Sequence, residues 1–231
     1  MWDAHELVRM ARQGLEEASR ATVLEQAVHG IDSLSEVRTH PILADAFLAA
    51  GLGVIREHPY PGIADKRPKF AQRQRCDLVL LPRPGQVLLD PVAELLQQDQ
   101  ASGTLFESIA ATPTVAIDAL RSEEAFWLEV KLVGQYCYTQ GVPGPNRAYG
   151  SELTSSLYTD LAKINADAAL RFSGLMLILF ADTEVTASHD LNIALHRALD
   201  RGHTFRSPIT ETFHIPERIG NSTCAVTLLP R

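Results

Sequence analysis

Phe126-Trp127-Leu128-Glu129-Val130-Lys131-Leu132-Val133 is an apolar, strand-like run carrying a glutamate and a lysine two positions apart. Strand side chains alternate faces with period two, so Glu129 and Lys131 project from one face. Leu128, Val130, Leu132 and Val133 make the run too apolar for a comfortable edge strand. Unpaired buried charge is costly, so charges placed there need a purpose. A second run, Arg75-Cys76-Asp77-Leu78-Val79-Leu80-Leu81, carries one aspartate ahead of four aliphatic residues. Each segment alone is a weak signal. Glu-x-Lys occurs on the wet face of many edge strands, where the ion pair contributes little, and a strand can begin at an aspartate. Side by side, an aspartate strand and a Glu-x-Lys strand can hold a cation and activate a water.

Phosphodiester hydrolysis needs that combination. A water must become nucleophilic at neutral pH, charge building on the phosphate must be stabilised, and the leaving alkoxide must be neutralised. Magnesium on carboxylates supplies all three, and as a hard cation it needs only two or three protein oxygens. Asp77 and Glu129 are the candidate ligands, with the backbone carbonyl of Val130 as another; Mn2+ can substitute for Mg2+. Lys131 can orient or help deprotonate the attacking water, or stabilise the phosphate charge. Glu57 lies late in the preceding strand and reads equally as a further ligand or as a surface partner of the basic loop. Gln135, four residues after Lys131, is a candidate contact to water or phosphate. Asp160 and Lys163 read first as a surface i,i+3 pair and second as part of the substrate cleft.

The formal net charge of −7 argues against a broad nucleic-acid-coating surface. A local basic stretch exists nonetheless. Lys66, Arg67, Lys69, Arg73 and Arg75 occur with no acidic residue between them and lead into the Asp77 strand. It reads as a solvated loop or, given its position, as a phosphate-contacting one. An apolar fraction of 45% and a charged fraction of 21% fit a globular domain with a sizeable core. The longest apolar run, Gly174 to Ala181, suits a buried strand and is too short to cross a bilayer. The first residues have no basic n-region and no apolar h-region, and the three scattered cysteines, Cys76, Cys137 and Cys224, read as buried free thiols. A cytoplasmic protein without a membrane partner is the default expectation.

Apolar spacing predicts one or two helices over residues 4–29, forming an N-terminal extension over residues 1–33. A helix capped by Ser33 or Ser35 follows, with a second segment starting at Pro41. A strand is expected at Val54–His58, then the Asp77 strand, a long 82–124 connection containing a helix near 91–100, and the Glu-x-Lys strand. The 141–146 segment reads as a loop. A helix over 151–171, a strand over 174–181, a helix over 189–201, a loop and a closing strand near 223–229 complete an α/β order. No Gly-x-Ser-x-Gly elbow, phosphate-binding glycine loop or His-x-x-x-His pair is present. His40, His58 and His189 read as capping or surface residues.

Asp77 followed by Glu129-Val130-Lys131, in the order helix, strand, aspartate strand, Glu-x-Lys strand, helix, strand, resembles the PD-(D/E)xK nuclease superfamily. The stretch from His40 to Gly51, followed by Val54 to Pro61, is similar to the helix–strand opening of such proteins, and Tyr158 to Lys163 resembles the helix after their Glu-x-Lys strand. The resemblance covers roughly residues 34–200. It implies a restriction-endonuclease-like mixed central sheet flanked by helices, in a domain spanning 34–231 with an insertion at 82–124. By that pattern Asp77 and Glu129 would bind Mg2+ and Lys131 would be the catalytic lysine. Glu36 would be the additional acidic residue of the first helix, or else a first-turn glutamate favoured by the helix dipole. The usual proline before the aspartate is Cys76 here.

The expected function is therefore a metal-dependent nuclease, an endonuclease acting on DNA in preference to RNA, with the N-terminal helices as candidates for a homodimer contact. The alternative is a catalytically silent nuclease-fold module for nucleic-acid binding or complex assembly. A third reading takes the charged strands as coincidence in an unrelated α/β protein.

Overall fold

The computed structural model describes residues 2–25, 29–62, 74–89, 118–139 and 142–231. Helix α1, Ala4–Leu24, starts at Asp3, whose carboxylate accepts from His5 N at 2.9 Å. Its Leu7, Val8, Ala11 and Leu15 are buried at the helical spacing of one face. Helix α2, Glu36–Ala49, buries His40, Leu43, Ala44 and Phe47. Pro41 lies inside α2 and does not begin a new helix. The carbonyl that loses its donor is that of Val37, an exposed residue whose carbonyl water can satisfy.

Strands β1, Gly53–Pro59, and β2, Arg75–Leu81, lead to the short β3, Val87–Leu88, and β4, Ala119–Leu120. The long β5, Phe126–Gly134, runs into a hairpin of β6, Tyr136–Thr139, and β7, Val142–Pro145. A wide helical turn, Glu152–Ser156, opens into α3, Leu157–Ala166. Then come β8, Phe172–Ala181, α4, Glu184–Asp200, β9, Ile209–His214, and β10, Thr223–Pro230. Among the described residues the main sheet has six strands in the order β1-β2-β5-β8-β10-β9. The β5–β8 pair is parallel and the others are antiparallel. The architecture is thus mixed α/β, a six-stranded mixed sheet flanked by helices.

Both sheet faces are covered, which explains the continuous apolar run of β8. Met176, Ile178 and Phe180 pack toward α1 and α2, while Leu175, Leu177 and Leu179 pack toward α3 and α4. A smaller third cluster surrounds Trp127 with Tyr60, Cys76 and Val79. The N-terminal helix belongs to the first of these layers, touching α2, β9 and β10. Its approach to α2 is so close that a Cβ on Gly14 would lie 2.4 Å from the Cβ of Ala46. Gly14→Ala gains helix propensity but forces the two helices apart. The net expectation is a loss of about 1–2 kcal/mol, read by urea denaturation; a stabilised variant would show that α1 does not pack this way.

Several expectations need correction. The helix after the 141–146 segment stops at Ala166, and α4 begins at Glu184, ahead of His189. The 141–146 loop is largely strand β7, because proline is tolerated in a two-stranded edge hairpin. The expected loop before the last strand contains β9, an edge strand whose alternation of polar and apolar residues is weak. Cys76 and Cys224 are buried, but Cys137 is exposed on the hairpin. The helix expected over 91–100 lies outside the described residues. Among the described residues no helix is long and apolar enough to cross a membrane.

Candidate functional site

Strands β2 and β5 pair only through Leu78↔Leu128, Val79↔Trp127 and Leu80↔Phe126. Beyond Leu128 the two strands part, and the β2-side edge of β5 is open. Backbone N–H groups on such an edge need acceptors. Two carboxylates supply them. Val130 N donates to Asp77 Oδ2 at 2.8 Å, and Leu132 N donates to Glu36 Oε2 at 3.3 Å. Val130 thus anchors Asp77 through its N–H.

A break in strand alternation aims Asp77 at this opening. The β1–β2 ladder runs from Gly53↔Leu81 to Arg56↔Leu78 and resumes at His58↔Cys76, skipping Glu57 and Asp77. Glu57 has φ of 53°, in the left-handed region that a non-glycine residue rarely occupies. Across the break the faces exchange. Cys76 and Val79 both pack against the Trp127 cluster, whereas Leu78 and Leu80 face α1 and α2. Strict period two would put Cys76 with Leu78.

On the α3 side a connected chain of charges crosses the site. Glu129 is 2% exposed, its Oε1 accepting from Tyr60 Oη at 2.5 Å. The Tyr60 ring stacks on Trp127, with centroids 5.7 Å apart. Lys163 Nζ lies 3.4 Å from Glu129 Oε2 and 2.7 Å from Asp160 Oδ1. Lys131 Nζ lies 2.9 Å from Asp160 Oδ2 and 3.0 Å from Glu36 Oε2. The i,i+3 pair forms, but Asp160 is buried between two lysines and not on the surface. Helical spacing sees Lys163 one turn away but not Lys131 across the interface.

On the α2 side, Glu36 and His40 stand one helical turn apart and face the same opening. His40 is buried, not a surface or capping residue. Its Nδ1 is 3.7 Å from Glu57 Oε1. Among the described residues neither ring nitrogen has a hydrogen-bond partner. His40, Glu57 and Asp77 each offer one ligand atom within 4.8 Å of the others. The signal available in the sequence was a histidine on the apolar face of α2, in phase with Leu43 and Phe47.

The electrostatics follow from this crowding. Burial, reinforced by the charge of Asp77, pushes the Glu129 carboxyl up to about 7, against the opposing Tyr60 bond and Lys163. Asp77 is also raised, chiefly by burial, with Glu36 and Glu57 adding to it and the Val130 N–H and His40 opposing. Burial alone would depress Lys131. The hydrogen bond and charge of Asp160, then of Glu36, outweigh it and hold the ammonium above its usual range. Lys163 is raised in the same way, by Asp160 and Glu129 against burial. Both lysines stay charged at neutral pH. Five carboxylates, Glu36, Glu57, Asp77, Glu129 and Asp160, thus crowd around two ammonium groups, a donor set with room for added positive charge.

The structure brings Asp77, Glu129, Lys131, Glu36 and Glu57 together and adds Tyr60, His40, Asp160 and Lys163. It leaves Gln135 elsewhere: the side-chain oxygen accepts from Asp182 N at 2.9 Å, at the far end of β8. Arg75 is exposed and donates to the Glu57 carbonyl at 3.0 Å. Lys66, Arg67, Lys69 and Arg73 lie outside the described residues. A cavity of about 760 Å³, lined among others by Glu36, Arg38, Leu132, Tyr138 and Asn146, adjoins the open edge of β5. Comparison of the chain with protein-family models, with curated proteins and with solved structures gives no match in any of the three.

Proposed function

We propose that this protein is a metal-dependent nuclease of the PD-(D/E)xK type with a restriction-endonuclease-like core, acting on DNA in preference to RNA. One observation carries the reading. The open edge of β5 anchors Asp77 and Glu36 through its N–H groups, and Glu129 and Lys131 project beside it. The order of α2, antiparallel β1, β2 and β5, then α3 and parallel β8 supports the core assignment. The donor set fits a hard divalent cation: the charge of Asp77 raises the proton affinity of Glu129, and Glu36 and Glu57 raise that of Asp77, a repulsion that a cation relieves.

Bound at Asp77 and Glu129, Mg2+ or Mn2+ would supply a water acidic enough to attack at neutral pH and a charge to meet the phosphate. The chain's own residues do the rest. Tyr60 and Lys163 hold the Glu129 carboxylate in place. Asp160 and Glu36 hold Lys131 charged, so its role is to stabilise phosphate charge and orient water, not to take a proton. The adjoining cavity gives the substrate a way to the β5 edge.

A second reading, the silent binding or assembly module, draws on a specific feature: both Glu129 oxygens already have partners. Cleavage assays separate the two. Plasmid, linear and single-stranded DNA, and RNA, are incubated with Mg2+ or Mn2+ or with EDTA, using the wild type and Glu129→Gln. Metal-dependent cleavage lost in the variant is the expected result, and nicking of closed plasmid marks an endonuclease. No cleavage of any substrate by the wild type would favour the silent module.

A further inference from the structure

We propose that His40, Glu57 and Asp77 form a second cation site, for a divalent transition metal of the Mn2+ or Zn2+ class, on the α2 side of the sheet opening. It goes beyond the nuclease reading, sharing with it only Asp77. A buried imidazole without hydrogen bonds is the first support. An unsatisfied buried polar group is costly, so native chains rarely leave one without cause. His40 is 1% exposed with both nitrogens unsatisfied among the described residues, and two carboxylates stand before it.

The backbone is the second support. The ladder breaks only at Glu57 and Asp77, and Glu57 holds a left-handed φ of 53°. Strain of this kind persists where the surroundings over-determine it, often at ligand sites. Here the break places both carboxylates on the His40 side of the opening. Asp77 is further fixed by the Val130 N–H, the outer hydrogen bond that orients a ligating carboxylate.

Geometry and donor chemistry select the ion. Bonds of about 2.0–2.2 Å to nitrogen and oxygen draw donors to roughly 3 Å apart. Donor atoms already within 4.8 Å need only side-chain rotation to close. Two carboxylates match a divalent charge. The imidazole disfavours Mg2+ and Ca2+, which prefer all-oxygen shells, and favours ions that accept nitrogen and oxygen together. The Glu57 side chain is 48% exposed, which leaves a solvent face for the ion to arrive and to keep waters.

The test is an electron paramagnetic resonance titration of the full chain with Mn2+, alone and against excess Mg2+ or Zn2+. Wild type is compared with His40→Ala, Glu57→Gln and Glu129→Gln. Expected is a bound Mn2+ that Zn2+ displaces and Mg2+ does not, weakened at least about tenfold in His40→Ala and Glu57→Gln and retained in Glu129→Gln. Glu57 is half-exposed, so its variant decides the matter if His40→Ala does not fold. Wild-type affinity in both variants, or no Mn2+ held by the wild type against excess Mg2+, overturns the proposal and leaves His40 a buried neighbour of the carboxylates. Mn2+ binding that depends on Glu57, without cleavage of any nucleic acid, keeps this site and removes the nuclease reading. Mg2+-dependent cleavage untouched in Glu57→Gln, with every bound Mn2+ displaced by Mg2+, does the reverse.

Discussion

Glu129→Gln is expected to stabilise the metal-free protein by about 3 kcal/mol at pH 8, and to remove much of the pH dependence of stability between pH 5 and 8. The Glu129 carboxyl titrates near 7 in the fold, against an ordinary 4.5 in the open chain. Between those values the folded protein holds a proton that the unfolded chain has lost. Stability from this group is therefore fully present below about 4.5 and drains away as pH rises through 7. Glutamine mimics the neutral carboxyl, keeps an oxygen to accept from Tyr60, and leaves Lys163 its bond to Asp160. Asp77 is raised as well and drains in the same direction, so the variant keeps part of the slope. Urea denaturation in EDTA at pH 5, 6, 7 and 8 measures this. Parallel profiles for wild type and variant would show that Glu129 is ionised in the fold at all these values, and the crowding argument would fall. Because the variant is the more stable protein at neutral pH, its loss of cleavage could not be ascribed to unfolding.

Part of this site was legible in the chain. Period two put Glu129 and Lys131 on one face, and the apolar residues between them marked a strand buried on both sides, as β5 is. The element order from α2 to β8 followed from runs of apolar residues that are long and clean. What could not be read was anything that depends on two segments meeting. Asp160 looked like half of a surface pair because its second lysine arrives from β5, about thirty residues earlier in the chain. His40 looked peripheral because only the fold shows what α2 covers. The exchange of faces at Glu57 and Asp77 breaks the periodicity on which strand reading rests, and a positive φ at a glutamate has no sequence signature. Gln135 failed for a related reason: period two carries it onto the face of Lys131 only if the strand continues, but β5 ends at Gly134 and the side chain turns to Asp182.

Lys131→Ala is expected to lower metal-dependent cleavage by roughly 10²–10³-fold, the usual loss when one preorganised group that meets transition-state charge is removed. The sequence allowed two roles for this lysine, proton acceptor or fixed charge. Its surroundings separate them, because two carboxylates at 2.9 and 3.0 Å hold it protonated. An ammonium with a raised pKa is a poor base at neutral pH. Lys131→Arg keeps the charge and is expected to recover part of the lost rate, although the planar guanidinium cannot reproduce the position of Nζ. An amine acting as base would give the opposite pattern, with arginine as inactive as alanine and a wild-type rate that climbs as the lysine deprotonates. The rate–pH profile below pH 9 is therefore expected to lack an inflection due to Lys131. The alanine variant also leaves Glu36 and Asp160 facing each other with Lys163 alone. It should lose about 2–3 kcal/mol of stability, measurable by urea denaturation and separable from the rate by assaying cleavage at a temperature where the variant is fully folded. If alanine and arginine lower cleavage equally while both fold, the fixed-charge role is wrong and Lys131 must act through its free amine.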